Sequence, residues 1–566
     1  MRVICLFVTV TLGLFGCMDA QPPAVERDAP VSSQQGAFLS TSGSSDRPNI
    51  LLIVADDLGY SDLGAYGSEI ATPNIDDLAQ SGVKFSQFYA SPSCSITRSM
   101  LMSGVDSHKA GLGNMRELMQ PNQADKPGYE GYLNDRVVSI ATLLKDADYR
   151  TYMTGKWHLG LTEETSAAAR GFEKSFAISY GGSHHFSDRG VDPHDPITYF
   201  REDGKLLEKI PDDFGFSSDF YTRKLIEYIE KGREEGKPFF AYAAYTAPHW
   251  PLQAPAEYLD KYASVYDQGY EVLREKRLQG LKDKGFIDEN IALPPLPQGV
   301  RKWSELSAEE RKVESRKMEV FSAMVDNLDD NVGKLIQYLK DIGEYENTFI
   351  FVMSDNGADA ADVLGQPRLK DYIASFDNSY ESMGKDGSYI ALGRPWAHAS
   401  TVPFKLWKMF SSEGAIRVPA IMNFPNKTSA GISDTMVSVT DLLPTFLSLA
   451  GVQHPGDRYK GRSVEPIQGR PLLPLLASLQ VEIHDRSKVI GHELLGRRAL
   501  RKGNWKLLIT PKPLGSGGWE LFNIAQDPGE QNNRAADKPK VMQDMLQEWA
   551  RYEKENSLVY ADSSPI

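Results

Sequence analysis

Apolar runs that break off into charged or polar residues restrict the fold of this chain more than any other feature. "NILLIVADDLG" is apolar without interruption over residues 50–55 and then gives Asp56-Asp57. The same shape recurs. A run from Tyr149 ends at Gly155-Lys156, one from Phe239 reaches Pro248-His249, and residues 349–353 lead to Asp355-Asn356, while "RVPAIMNFP" adds a fifth. A strand with one wet face alternates polar and apolar residues. These runs do not, so they read as strands buried on both faces.

Amphipathic helices lie between the runs. The clearest begins at Ser307, with Glu310 three residues on as a capping box. Its apolar positions Met318, Phe321, Val325, Leu328, Val332, Leu335 and Leu339 step by three and four along one face. Spacing this regular also suits a coiled coil, but its place between two strands assigns it to packing on a sheet. Strands alternating with helices predict an α/β fold: a large central sheet, mixed but mostly parallel, sandwiched by helices. Past about Pro455 the texture changes to short strands with turns and a closing helix, "PKVMQDMLQEWARYEKENS". That predicts a smaller C-terminal α+β domain with a short antiparallel sheet. The expected domains are residues 48–455 and 456–566.

Residues 1–17 read as an export signal, with Arg2 before an apolar core too short to span a membrane. Leu14-Phe15-Gly16-Cys17 resembles a bacterial lipobox, which implies cleavage before Cys17 and lipidation of its thiol; an ordinary signal peptide with an incidental Cys17 is the alternative. Residues 18–47 form an expected flexible tether, rich in Pro, Ser, Gln and Gly. The expected location is the periplasm or cell envelope of a bacterium, as a lipoprotein. The net charge of −14 argues against nucleic acid and anionic membrane surfaces as partners, leaving the lipid anchor as the only membrane contact. An anionic substrate would need positive charge supplied locally.

With Cys5 removed and Cys17 lipidated, Cys94 in "SPSCSITRSMLMSG" is the one free thiol, so no disulfide framework is possible. It stands at a predicted helix N-terminus, where backbone N–H groups favour an anion, so the thiol is expected to ionise easily. A buried, inert cysteine is the competing reading. Asp56, Asp57, Asp355 and the Asn356 amide form an all-oxygen set at two strand ends, suited to a hard cation. Asp, Asn and Gly also favour plain turns. Arg98, Lys156, His158, His249 and Lys408 would make an anion pocket beside that cation. His184 and His185, in "SYGGSHHFSDRG", are expected either to line an outer pocket or to sit on a solvated loop.

Together these segments resemble the sulfatases, formylglycine-dependent members of the alkaline phosphatase superfamily, and most of all the bacterial arylsulfatases. "CSITR" resembles the signature Cys/Ser-x-Pro-x-Arg. "NILLIVADDLG", "GKWHLG", "APHWPLQAP", "SDNG", "KMFSSEGAIRVPAI" and "DLLPTFLSLAG" are similar to family motifs and stand in the family's order. The resemblance implies hydrolysis of sulfate monoesters. Cys94 would be converted to formylglycine by a formylglycine-generating or equivalent maturation enzyme and hydrated to a diol that attacks sulfur. Asp56, Asp57, Asp355, Asn356 and residue 94 would hold calcium, with magnesium the alternative. Arg98 and Lys156 would hold the formylglycine, His158 would take the proton that releases sulfate, and His249 and Lys408 would bind sulfate and protonate the leaving oxygen. Ile96 stands where the signature has proline. The helix tolerates it, but the maturation enzyme reads that position. Two other functions stand beside it: a phosphoester or phosphonate hydrolase of the same superfamily, since relatives with the same nucleophile cleave phosphorus esters, or, because of Ile96, an unmodified, catalytically poor binder of sulfated ligands.

Overall fold

The computed structural model describes residues 47–363 and 369–562. The export signal, Cys17 and nearly all of the tether lie outside the described residues. Arg47–Ile566 forms one compact unit. Among the described residues no helix is long and apolar enough to cross a membrane.

Ten described strands make the central sheet: β1 Asn49–Ala55, β2 Val83–Phe85, β3 Arg150–Lys156, β4 Lys174–Ile178, β5 Phe200–Glu202, β6 Lys205–Leu206, β7 Phe239–Ala244, β8 Thr348–Ser354, β9 Ala420–Asn423 and β10 Gly431–Ser433. Their spatial order is β10-β2-β9-β8-β1-β7-β3-β4-β5-β6. The five middle strands, β8 to β4, run parallel to their neighbours, whereas β9 and β5 pair antiparallel at the flanks. The five apolar runs are therefore β1, β3, β7, β8 and β9, as expected, and the sheet is mixed. β1 has later strands on both sides, which makes its carboxyl end a switch point where ligands bind in open α/β sheets.

Both faces of the sheet are covered. Leu51 and Ile53 of β1 share one core with Phe321, Val325, Leu328 and Val332 of the long helix Ala308–Asp341. Ile50, Leu52 and Val54 share the other with Ile96, Leu101 and Met102 of the helix Cys94–Ser103. Alternate β1 side chains thus enter opposite cores, and each fully buried Leu or Ile contributes about 1.5–3 kcal/mol. The long helix starts where its sequence places it: Ser307 Oγ accepts from Glu310 N at 3.2 Å and Glu310 Oε2 accepts from Ser307 N at 2.8 Å.

Four short strands, Val489–Leu494, Arg497–Lys502, Trp505–Ile509 and Trp519–Asn523, form the C-terminal antiparallel sheet, and the helix Pro539–Glu555 packs on it. Buried charges join this sheet to the rest. Lys506 lies 2.8 Å from Glu413 and 2.7 Å from Glu530. Tyr552 OH donates to Asp106 Oδ2 at 2.7 Å, and Asp106 Oδ1 lies 2.8 Å from His108 Nδ1.

His108 gives a prediction for stability. Burial disfavours its charge, but Asp106 outweighs burial and, with Glu493 3.9 Å away, holds its pKa up at about 9. A folded-state pKa raised from 6.5 contributes stability below pH 6.5 and loses it as pH rises through 9. The contribution is at most about 3 kcal/mol. Thermal melts between pH 6 and pH 10 should show this fall in the wild type and not in Asp106→Asn.

Candidate active site

The carboxyl ends of β1 and β8 lie level, because Ala55 pairs with Ser354 and Asp355 N donates to Ala55 O at 3.1 Å. Asp56 and Asp57 leave β1 there, and Asp355 and Asn356 leave β8. All four are buried. Ligand atoms of Asp56, Asp57, Cys94 and Asp355 lie within 4.8 Å of one another. Asp57 takes a left-handed backbone, φ +68°, which aims its carboxylate inward next to that of Asp56. Asn356 Nδ2 donates to Asp57 Oδ1 at 2.7 Å.

Two buried oxygens in this cluster, Asp56 Oδ1 and Asn356 Oδ1, have no hydrogen-bond partner among the described residues. Orphaned buried acceptors are costly, and a cation between them would satisfy both. With protein groups alone, burial pushes Asp57 and Asp355 above the usual carboxylate range, against Lys408 and Arg98 respectively. At Asp56 burial is outweighed, chiefly by Lys156, and the carboxyl is held low. The donor set therefore fits a hard divalent cation held by Asp56, Asp57, Asp355 and Asn356.

Cys94 opens the helix Cys94–Ser103, behind Ser93 and ahead of the left-handed Gly104, as expected. The expectation of an easily ionised thiol fails. Burial pushes the Cys94 thiol far above its ordinary value, Lys156 and Lys408 do not offset this, and Asp56 and Asp355 add to it. A helix terminus lowers a thiol pKa where water or a cation can stabilise the charge; here the side chain is sealed among carboxylates. Ile96 points into the apolar core, 2% exposed, so it leaves the helix intact.

Three cations surround the carboxylates. Lys156 Nζ donates to Asp56 Oδ2 at 2.6 Å. Lys408 Nζ lies 2.7 Å from Asp57 Oδ1, and burial of its charge is outweighed by Asp57, so it stays protonated. Arg98 is fully buried: its Nε donates to Asp355 Oδ2 at 2.8 Å and its Nη1 to Lys156 O at 2.8 Å and to Tyr242 OH at 3.2 Å. Arg98 thus ties the helix to the ends of β3 and β8. Gly155 lets β3 pass close to β7; a Cβ there, at φ +101°, would meet Ala244 O at 1.9 Å.

His158 and His249 complete the set. His158 follows β3 with a left-handed backbone, φ +55°, and its Nε2 lies 3.1 Å from Glu117 Oε1. His249 follows β7 between two prolines. Its Nδ1 lies 2.5 Å from Trp250 O and its Nε2 3.6 Å from Asp57 Oδ2. Burial, with Lys408, lowers its pKa to about 3.

The sulfatase family model matches residues 48–452, and the model described as N-sulphoglucosamine sulphohydrolase, C-terminal, matches residues 405–555. The chain belongs to the sulfatase family. It is 44% identical to an uncharacterized sulfatase of Schizosaccharomyces pombe, over 92% of this chain and 96% of that one. It is 36% identical to an arylsulfatase of Klebsiella aerogenes, over 76% of this chain and 92% of the relative. Among solved structures it resembles that of Ps i-CgsB in complex with k-i-k-neocarrahexaose, with a TM-score of 0.64, 26% identity, and coverage of 90% of this chain and 93% of that one. This sulfatase is a sulfuric ester hydrolase, and the acidic cluster could hold the metal on which the family typically depends.

Sequence reasoning missed three residues of the sulfatase site. Glu117 partners His158. Asp359 lies 3.1 Å from Lys408 Nζ and accepts from Trp250 Nε1 at 3.0 Å, so one carboxylate fixes both Lys408 and the residue after His249. The signal for Asp359 was its place in "SDNGAD", four residues past Asp355. Trp250, whose carbonyl meets His249 Nδ1, is the third. His184 and His185 neither line an open pocket nor sit on a solvated loop; both are about 1% exposed. His184 stacks on Phe376 with ring centroids 4.9 Å apart, and His185 Nε2 lies 2.9 Å from His249 O. The glycines before them make the close approach instead. A Cβ on Gly181 would lie 2.8 Å from His158 Cε1, and one on Gly182 3.2 Å from His249 Cε1.

Proposed function

We propose that this sulfatase hydrolyses sulfate monoesters through an aldehyde made from Cys94, beside a divalent cation, with calcium the first choice. One observation carries the reading. A single buried cysteine, with its thiol disfavoured as an anion, stands within 4.8 Å of three carboxylate ligand atoms, and two lysines act on it. A thiol so placed is a poor nucleophile and a poor partner for an oxygen-loving cation. An oxygen at the same position would complete the all-oxygen set. The hydrated aldehyde supplies a hydroxyl nucleophile and, by re-forming the carbonyl, a way to release sulfate that serine lacks. A cation held by Asp56, Asp57, Asp355 and Asn356 would acidify that hydroxyl and polarise a sulfate oxygen.

The chain's own residues do the rest. Lys156 sits on Asp56 and brings positive charge to residue 94. Arg98 acts from below, holding Asp355 and the Lys156 carbonyl in place. Lys408 and His249 both approach Asp57 and would hold the sulfate; Lys408, fully protonated, carries a proton for the leaving oxygen. His158 would accept the proton that permits sulfate release. A maturation enzyme must convert Cys94 while reading Ile96 in place of proline. The reading includes export by residues 1–17, with Cys17 as the lipid anchor.

Turnover of an aryl sulfate against an aryl phosphodiester tests the chemistry. We expect the sulfate to be hydrolysed faster, the activity to fall on chelation, and calcium to restore it. A faster phosphodiester, or full activity after chelation, would overturn the proposal. The hexaose bound by Ps i-CgsB makes sulfated oligosaccharides the second class to assay.

A further inference from the structure

We propose that Glu117 is a positioning residue that fixes the proton of His158 on Nε2 and leaves the Nδ1 lone pair free to act as the base. The inference rests on the sulfatase reading above. Glu117 Oε1 lies 3.1 Å from His158 Nε2. An ionised carboxylate only accepts hydrogen bonds, so Nε2 carries the hydrogen. A neutral imidazole has one donor and one acceptor nitrogen, so Nδ1 holds the lone pair. Nδ1 is buried and has no hydrogen-bond partner among the described residues. An unpaired buried acceptor is costly unless a donor arrives, and in the sulfatase reading that donor would be the reacting hydroxyl.

The pair is held from both sides. On one side Gly181 packs on the ring, where a Cβ would lie 3.1 Å from Nε2. On the other, Glu117 sits in the turn Arg116–Leu118, whose Leu118 carbonyl accepts from Asn114 Nδ2 at 3.1 Å. Met115, just before that turn, meets Ser93 Oγ at 2.8 Å, the residue preceding Cys94. The turn that carries Glu117 is therefore tied to the start of the Cys94 helix.

The proton balance is simple. The O–H bond of the hydroxyl breaks and an N–H bond forms at Nδ1; the electron pair left on oxygen would form the carbonyl as the C–O bond to sulfate breaks, and the resulting imidazolium faces the Glu117 carboxylate, which offsets its charge. The Glu117 side chain is 51% exposed, so it stands where the surplus proton can return to water. It also follows that Glu117→Ala should fold normally.

The test reads the tautomer directly. In protein labelled with 15N-histidine, the signals missing from His158→Ala identify His158 among the ten histidines. The wild type should show the proton on Nε2. Glu117→Gln should keep it there, because the amide oxygen still accepts, and Glu117→Ala should show a mixture. In the same variants, Glu117→Ala should lower kcat on an aryl sulfate by about 10- to 100-fold with KM within about twofold, and Glu117→Gln should recover part of the loss. A proton on Nδ1 in the wild type, an unchanged tautomer in Glu117→Ala, or wild-type kcat in Glu117→Ala would each overturn the proposal. If the wild type hydrolyses no sulfate ester, the sulfatase chemistry fails while the spectra still decide the tautomer.

Discussion

Cys94→Ala is expected to leave the fold in place and to lower sulfate-ester turnover by about 10⁴-fold or more. The structural half follows from position. Cys94 is the first residue of its helix, alanine is the best helix former, and the loss of one small buried side chain costs about 1 kcal/mol. The catalytic half follows from surroundings. Arg98, Lys156 and Lys408, the basic side chains on Asp56, Asp57 and Asp355, are held as cations against those carboxylates and make poor nucleophiles. Cys94→Ser should fare little better, because an unconverted serine cannot expel sulfate by re-forming a carbonyl. Circular dichroism with thermal melts, run beside the assay, separates the two halves. Residual turnover near the wild-type rate would remove Cys94 from the mechanism.

Asp355→Ala has the largest expected effect on stability. It leaves the Arg98 guanidinium buried without the carboxylate that Nε and Nη2 both reach at 2.8 Å. Removing one partner of a buried pair typically costs about 3–5 kcal/mol, because the remaining charge is uncompensated. The contacts of Arg98 with Lys156 O and Tyr242 OH survive and keep the loss from being larger. Asp355→Asn should cost less, since the amide oxygen still accepts from Arg98. Urea unfolding of Asp355→Ala, Arg98→Ala and the double variant isolates the coupling. The same substitution removes one oxygen of the proposed cation site, so any rise in melting temperature with calcium in the wild type should vanish.

Much of this was legible because it lies at strand ends. Asp56, Asp57, Lys156, Asp355 and Asn356 follow unalternated apolar runs. Parallel strands place their carboxyl ends on one side of the sheet, so Asp57 and Asn356, 299 positions apart in sequence, meet. The long helix was legible in the same way, since its capping box and its apolar face both follow from local rules. Glu117 and Asp359 were not legible. Glu117 sits in a short turn and Asp359 in the loop after β8, where "SDNGAD" marks its neighbourhood but not its partner, and only the packed structure brings Glu117 to His158 and Asp359 to Lys408. His184 and His185 were misread for a related reason. Two adjacent histidines in a Gly- and Ser-rich stretch suit an outer pocket or a solvated loop, but Gly181 and Gly182 bring the stretch close against His158 and His249, where a Cβ would lie 2.8 Å and 3.2 Å from their rings. The Cys94 thiol was misjudged because a helix terminus is visible in sequence and desolvation is not.

Residue 94 is proposed to work as an aldehyde. The mass of the Cys94-containing peptide, from protein purified from its native host and assayed for aryl sulfate turnover, tests it most directly. The expected result is the mass of formylglycine at residue 94, in a fraction that tracks specific activity from one preparation to the next. An intact cysteine throughout, in protein that still hydrolyses sulfate esters, would contradict it.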